Sequence, residues 1–205
     1  MKKNMKHISM CIAAAGVIAL ASCGGSSETK TADAATTAAA PAGPVIAIDA
    51  SGWAAMDLST LSPMIPISMN LPKDVKMEKN GNGGVDIRLN EAYTITVSNI
   101  AVGSVKEAMD GDKTLNVNNK TSYKDGKIIS EEANGYVYQM QMNDEANGTK
   151  YEPEAHFFFY LEKDGAVYSI SDNRPMDNGF LPGSTYTVDN AKKLYESVKA
   201  TAKLK

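Results

Sequence analysis

Few side chains in this 205-residue chain can do chemistry, and their number limits what the chain does. It has two cysteines, Cys11 and Cys23, and two histidines, His7 and His156. His156 is the one histidine beyond the N-terminal region, so a His-rich zinc site cannot be assembled within one chain. A nucleophilic triad would need a serine presented on a sharp turn, and no G-x-S-x-G elbow occurs. His156 is therefore expected to be a half-buried strand residue with a hydrogen-bond partner. Carboxylates cluster at Asp110-Gly111-Asp112, Asn143-Asp144-Glu145, Glu152-Pro153-Glu154, Asp172-Asn173 and Asp177-Asn178-Gly179. Two acids about 5–10 Å apart can hydrolyse a glycosidic bond. Asp and Asn oxygens beside a glycine can ligate calcium. None of the clusters matches D-x-[DN]-x-[DN]-G-x5-E, and each falls in a predicted turn, where Asp and Asn complete the turn itself. The Asp172–Asn178 loop is the single calcium candidate. The expectation is no catalytic residue, no metal and no cofactor.

Cys23 differs in its surroundings. A basic stretch, Lys2, Lys3, Lys6 and His7, precedes an apolar run from Cys11 to Ala21 with one glycine, Gly16. That is the layout of an export signal. It is too short to span a bilayer, which takes about 20 apolar residues. The run ends in Leu20-Ala21-Ser22-Cys23, which resembles the lipobox of the bacterial lipoprotein family at all four positions. The resemblance implies that residues 1–22 are a lipoprotein signal peptide. Cys23 would then open the mature chain, bearing a diacylglyceryl thioether and an amide-linked acyl chain. Each buried CH₂ contributes about 0.8 kcal/mol, so two or three chains together anchor a protein firmly to a membrane. Gly24-Gly25-Ser26-Ser27 lacks the Asp that marks inner-membrane retention in some lipoproteins, which favours the outer membrane. With Cys11 removed and Cys23 blocked, the mature chain would have no free thiol. Disulfides, thiolate catalysis and cysteine metal sites are then excluded together.

From Gly24 to Pro44 the residues are mostly Ala, Thr, Ser, Gly and Pro. Such a segment cannot bury enough apolar surface to offset its conformational entropy. Residues 23–44 are thus expected to be the lipidated cysteine and a disordered tether, with an r.m.s. span of about 25 Å. Residues 45–205 are long enough for one domain with a real core. They carry 17 basic and 22 acidic residues, a net of −5, with the signs interspersed. That balance argues against nucleic-acid binding and against a polybasic contact with anionic lipid.

The elements that must position these residues read mainly as strands. Ile65 to Leu71 alternates apolar and polar and stops at Pro72. Lys76 to Asn80 and Gly84 to Leu89 flank the turn Asn80-Gly81-Asn82-Gly83, and Tyr93 to Val97 continues as a strand. A short helix is expected from Ser104 to Met109, ended by Gly111. Lys127 to Glu132 and Tyr136 to Met142 join through Asn134-Gly135, and Glu154 to Leu161 and Ala166 to Ser171 join through Asp164-Gly165. Tyr136, Tyr138, Met140 and Met142 share one face and should point to the core. His156-Phe157-Phe158-Phe159-Tyr160-Leu161 is apolar on both faces, as in the middle strand of a sheet. Thr187 to Leu204 reads as an amphipathic helix with Thr187 as N-cap and Asp189 in its first turn. Trp53, with Met56 and Leu58, reads as an N-terminal segment tucked against the domain. Tyr136, Tyr138, Tyr151, Tyr160 and Tyr168 read as core, with an apolar ligand groove as the alternative. The fold class is α+β: an antiparallel sheet of about six or seven strands with the C-terminal helix and the short internal helix packed on it.

Ile67-Ser68-Met69-Asn70-Leu71-Pro72-Lys73-Asp74 is similar to the "F-x-φ-P-x-x-W" opening of the Mog1/PsbP-like family. Leu194-Tyr195-Glu196-Ser197-Val198 is similar to its closing "φ-x-x-S-F". Val75 stands where that family often has Trp, and Val198 where it often has Phe. The family consists largely of non-catalytic binding and accessory proteins, and it carries no catalytic residue over to this chain. The expected function is a membrane-tethered, non-catalytic lipoprotein that serves as a binding or accessory module for an envelope protein complex, with no nucleic-acid partner. The alternatives are a carrier of lipid or another apolar ligand in a cavity beneath the last helix, and a carboxylate hydrolase.

Overall fold

A computed structural model describes residues 47–144, 148, 150–173 and 185–205. Among the described residues, ten strands and two α-helices follow in the order β1 (Ala54–Asp57), β2 (Ile67–Leu71), β3 (Lys76–Lys79), β4 (Val85–Arg88), β5 (Thr94–Ile100), α1 (Val105–Asn116), β6 (Tyr123–Glu132), β7 (Gly135–Met142), β8 (Glu154–Lys163), β9 (Ala166–Asn173), α2 (Val188–Thr201) and β10 (Lys203–Leu204). A 3-10 turn, Leu58–Thr60, links β1 to the loop before β2. The fold is α+β, with a seven-stranded antiparallel sheet ordered β3-β4-β5-β9-β8-β7-β6 and a three-stranded one ordered β1-β2-β10.

Alternation along the strands decides which side chains meet. Ile67, Met69 and Leu71 of β2, Val85 and Ile87 of β4, and Ile95 and Val97 of β5 are fully or almost fully buried. They join Val137, Phe157, Phe159 and Ile170 of the large sheet, and Ala191, Leu194, Tyr195 and Val198 of α2, in the main core. On the opposite face Tyr136, Tyr138, Tyr160 and Val167 form a second core with Ala108 and Met109 of α1. Thr187 caps α2 as its sequence suggests, its side chain accepting the Asn190 N–H at 3.2 Å. Ser104 caps α1 in the same way, accepting from Glu107 N. Each cap satisfies a backbone donor that has no partner inside the helix.

Four expectations are corrected. First, α1 does not end at Gly111 but runs to Asn116. Its second half is held to the sheet by Asp112, which accepts the Tyr160 hydroxyl at 2.6 Å, and by Lys113, paired with Glu131 at 2.5 Å. These contacts outweigh the loss of about 1 kcal/mol that glycine brings to a helix interior. Second, the closing helix stops at Thr201; residues 203–204 pair antiparallel with β2, Lys203 opposite Ser68 and Leu204 opposite Ile67. Third, the β6–β7 turn is Ala133-Asn134, because Glu132 pairs with Gly135, which already belongs to β7. A Cβ at Gly135 would lie 2.7 Å from the Phe158 carbonyl oxygen and 2.8 Å from Cε2 of Tyr195, so glycine is there for close approach. Fourth, β9 occupies the middle of the large sheet, with β8 beside it. The even residues of β7 point to a core as expected, Tyr136 and Tyr138 to the one on the α1 side, while Val137 turns to α2. The Asp164-Gly165 turn stands as expected, both residues at positive φ (54° and 76°) and Lys163 paired with Ala166. Trp53 is partly buried against the main core, next to β1.

Two glycine substitutions separate these effects. A Cβ at Gly111 meets no atom within 4 Å, so Gly111→Ala should stabilise the domain by about 0.5–1 kcal/mol in urea unfolding. Gly135→Ala must displace Tyr195 or the β8 backbone and should destabilise by about 1–3 kcal/mol.

Candidate functional site

Among the described residues, the buried carboxylate and imidazole side chains gather in a cluster that joins the start of β8 to the end of β9. Strand alternation puts Glu154 and His156 on one face of β8, together with Phe158 and Tyr160. The β8–β9 ladder ends at Phe158 opposite Ser171. Beyond that point β8 turns to another partner, the Ala155 N–H donating to the Tyr186 carbonyl at 2.8 Å. The Asp172 side chain fills the gap between the strands. Its Oδ1 accepts the Phe157 N–H at 2.7 Å in place of a backbone carbonyl, and its Oδ2 lies 2.9 Å from His156 Nδ1. His156 Nε2 lies 3.4 Å from Glu154 Oε2. Glu154, His156 and Asp172 are 2%, 5% and 4% exposed. The imidazole is flanked by the rings of Tyr138 at 5.9 Å and Tyr186 at 5.5 Å.

Both imidazole nitrogens face carboxylates, so in this geometry neither can take a proton from a hydroxyl nucleophile. With Nδ1–H donated to Asp172, Nε2 and Glu154 attract each other only if a proton lies between them. The arrangement ties two strands to the segment leading into α2, as buried polar networks do when their members are paired. His156 is thus fully buried rather than half-buried, and it has two carboxylate neighbours rather than one partner. Glu154 and His156 interrupt a strand that is otherwise apolar on both faces, and that interruption is the sequence signal for the cluster. Asp172 gave no such signal, since it reads as the first residue of a loop.

Asp172 belongs to β9 and has its carboxylate turned inward, so it does not open a calcium loop; residues 174–178 of that candidate lie outside the described residues. Among the described residues no group of three His, Cys, Asp or Glu side chains is placed to hold a metal ion. Among the described residues, three of the other clustered acids each have a separate partner. Asp110 pairs with Lys106 at 2.5 Å, Asp144 with Lys124 at 2.8 Å, and Asp112 bonds Tyr160. Cys23 lies outside the described residues. Four of the five tyrosines considered for a groove, Tyr136, Tyr138, Tyr160 and Tyr168, are core residues. Beneath α2 the space is filled by side chains, Ala191, Leu194 and Val198 being fully buried. An open surface groove of about 650 Å³ lies beside the helix instead, between Ala47–Ala50 and Lys193, Glu196 and Ser197.

Among known proteins, the chain matches no family model and no curated protein.

Two substitutions at Asp172 should differ. Asp172→Ala leaves Phe157 N–H and His156 without their acceptor and should cost about 3–5 kcal/mol in equilibrium unfolding. Asp172→Asn keeps an oxygen for Phe157 and should cost clearly less. Asp112 gives a pH test. Burial raises its carboxyl above the ordinary value of 3.8, and the Tyr160 hydrogen bond offsets part of that. The folded state therefore holds this proton at pH values where the unfolded chain has released it. The Asp112 contribution to stability is fully present below pH 3.8 and is lost as pH rises through the raised folded value. Asp112→Asn should remove that decline, seen as a flatter unfolding free energy against pH just above 3.8.

Proposed function

We propose that the protein is a membrane-tethered, non-catalytic lipoprotein, anchored through Cys23 and presenting residues 45–205 as a binding or accessory module for an envelope complex. The observation that carries this reading is the sequence Leu20-Ala21-Ser22-Cys23 at the end of a basic and then apolar N-terminal run. The geometry of the domain supports it. The cluster richest in reactive groups is buried and internally satisfied, and the space beneath α2 that a carrier would need is filled. The similarity of Ile67–Asp74 and Leu194–Val198 to the opening and closing motifs of the Mog1/PsbP-like family, whose members are largely non-catalytic accessory proteins, supports the same reading. Tethering raises the effective concentration of a partner in the same membrane, so weak contacts suffice. The outer membrane is the proposed address, because Gly24-Gly25-Ser26-Ser27 lacks the retention Asp.

The test compares the chain with Cys23→Ser in the producing cell, by fractionation, by mass spectrometry of the N-terminal peptide and by pull-down after membrane crosslinking. The parent chain should carry acyl chains on Cys23 and partition with membranes. The variant should be released and should capture partners at least about 100-fold less well, the scale of a lost tether. Equal capture by both forms would show that tethering is not the point, and an unmodified Cys23 would end the lipoprotein reading.

A further inference from the structure

Of the described residues, three large apolar side chains are exposed: Leu61 (37%), Met64 (55%) and Leu115 (61%). Two of them share one loop, with exposed Pro63 between them. This loop is built to hold its apolar groups outward. Leu58 and Ile65, its two ends, are fully buried. Ser62, also fully buried, donates its hydroxyl to the Gly83 carbonyl at 2.5 Å. The Leu61 and Ser62 N–H groups both bond the Leu58 carbonyl at 3.1 Å, and the Ile65 N–H bonds the Ser62 carbonyl at 2.9 Å. Between those pins Leu61 and Pro63 are exposed, and Met64, 55% exposed, rests its thioether beside Gly83, where a Cβ would come 3.1 Å from Sδ.

Lysines lie around the same end of the domain. The Lys205 N–H bonds the Pro66 carbonyl at 2.9 Å, and the Lys205 ammonium pairs with Asp57, the residue before the 3-10 turn. The Lys163 ammonium bonds the Lys205 carbonyl, and Lys203 of β10 is exposed. Lys205 and Lys163 are thus already engaged and only Lys203 of the three is simply exposed, so in a domain of net charge −5 the tip meets a bilayer through its apolar groups.

We infer that the Leu61–Met64 loop is a membrane-docking tip, which inserts Leu61, Pro63 and Met64 shallowly into the bilayer that holds the Cys23 anchor. The inference rests on the lipoprotein reading. A protein partner fits the patch less well. The exposed parts of Leu61 and Met64 amount to about one side chain, far below the ~800 Å² per partner of a stable protein interface. A bilayer asks for much less, because the covalent anchor already supplies the affinity and the tip has only to set orientation. The chain between Cys23 and Ala47 reaches at most roughly 80 Å, enough to let any face of the domain meet the membrane. The tip therefore selects which face does.

The test uses the full chain with Met64→Cys, matured in cells, labelled at the new thiol with an environment-sensitive fluorophore and reconstituted into phosphatidylethanolamine–phosphatidylglycerol vesicles. A second sample is labelled through Lys120→Cys, at an exposed position away from the loop. Lipid nitroxides should quench the residue-64 probe about two-fold or more, most strongly from a shallow acyl position about 5–10 Å deep, and leave the residue-120 probe unaffected. Leu61→Asp in the Met64→Cys background should abolish the quenching while Cys23 stays acylated and the protein stays on the vesicles. A residue-64 probe in water on an anchored, acylated chain overturns the docking tip and leaves the anchor intact. Shielding in native membranes but not in pure lipid assigns the loop to a protein partner and likewise overturns it. An unacylated Cys23 defeats the lipoprotein reading itself, and the inference falls with it.

Discussion

A strand buried on both faces needs two covers, and β8 sets this requirement for the whole domain. Phe157 and Phe159 point to one side and Phe158 and Tyr160 to the other, so the chain must supply a layer for each. On the first side the cover is α2 together with the three-stranded sheet, whose β2 contributes Ile67, Met69 and Leu71. On the second side it is α1, which brings Ala108 and Met109 against Tyr136, Tyr138 and Tyr160. Fully burying an aromatic or large aliphatic side chain contributes about 1.5–3 kcal/mol, so the two covers supply the main stabilisation of a domain whose described residues contain no cysteine. The stacked rings of Phe158 and Tyr160, 6.0 Å apart and 9° from parallel, add geometric specificity to that burial.

The Glu154–His156–Asp172 cluster runs against this economy. Charges in a low-dielectric interior are costly, and a well-packed apolar replacement is often as stable. The cluster solves a local problem instead. Where β8 leaves β9, backbone donors lose their partners, and Asp172 supplies the acceptor that the Phe157 N–H would otherwise lack. An apolar residue at 172 could not do that. Because the same carboxylate also holds His156, the point at which the strands part is fixed to one register. We put forward this register role as a hypothesis, and the unequal cost of alanine and asparagine at position 172 bears on it directly.

How much of this was legible in the sequence differs by the range of the physics involved. Alternation revealed β2, β4 and β5, and the Thr187 cap and three- and four-residue spacings revealed α2, because those signals are local. The second half of α1 was hidden, since its cause is the contact of Asp112 with Tyr160, 48 residues away. The two residues of β10 were hidden for the same reason: after Thr201 the pattern still reads as helix, and only β2 makes it a strand. At Gly135 the local signal misled. An Asn-Gly pair favours a turn, but here the glycine makes room for the Tyr195 ring of α2, which packs on the sheet. His156 is legible as a strand residue with a partner, while its second carboxylate neighbour depends on the folded geometry at the start of β8.

The same constraint limits where the domain can meet anything else. Both faces of the β7–β9 region are covered, and the edges of the large sheet are blunted. β3 offers Lys76, Glu78 and Lys79 along four residues, and β6 shifts register twice, between Lys124 and Lys127 and between Ile128 and Ser130. Charges and bulges of this kind discourage the addition of a further strand. Over β4 and β5 the side away from the main core carries a polar network, with Asp86 accepting from Thr96 at 2.8 Å and Asn80 at 3.2 Å, and Thr96 accepting from Asn173 at 3.1 Å. Such a surface already pairs several of its polar groups with one another, which lowers the net gain from a polar contact there. Contacts that gain free energy are thereby left to the loop that exposes Leu61 and Met64, to the end of α1 that exposes Leu115, and to the groove beside α2.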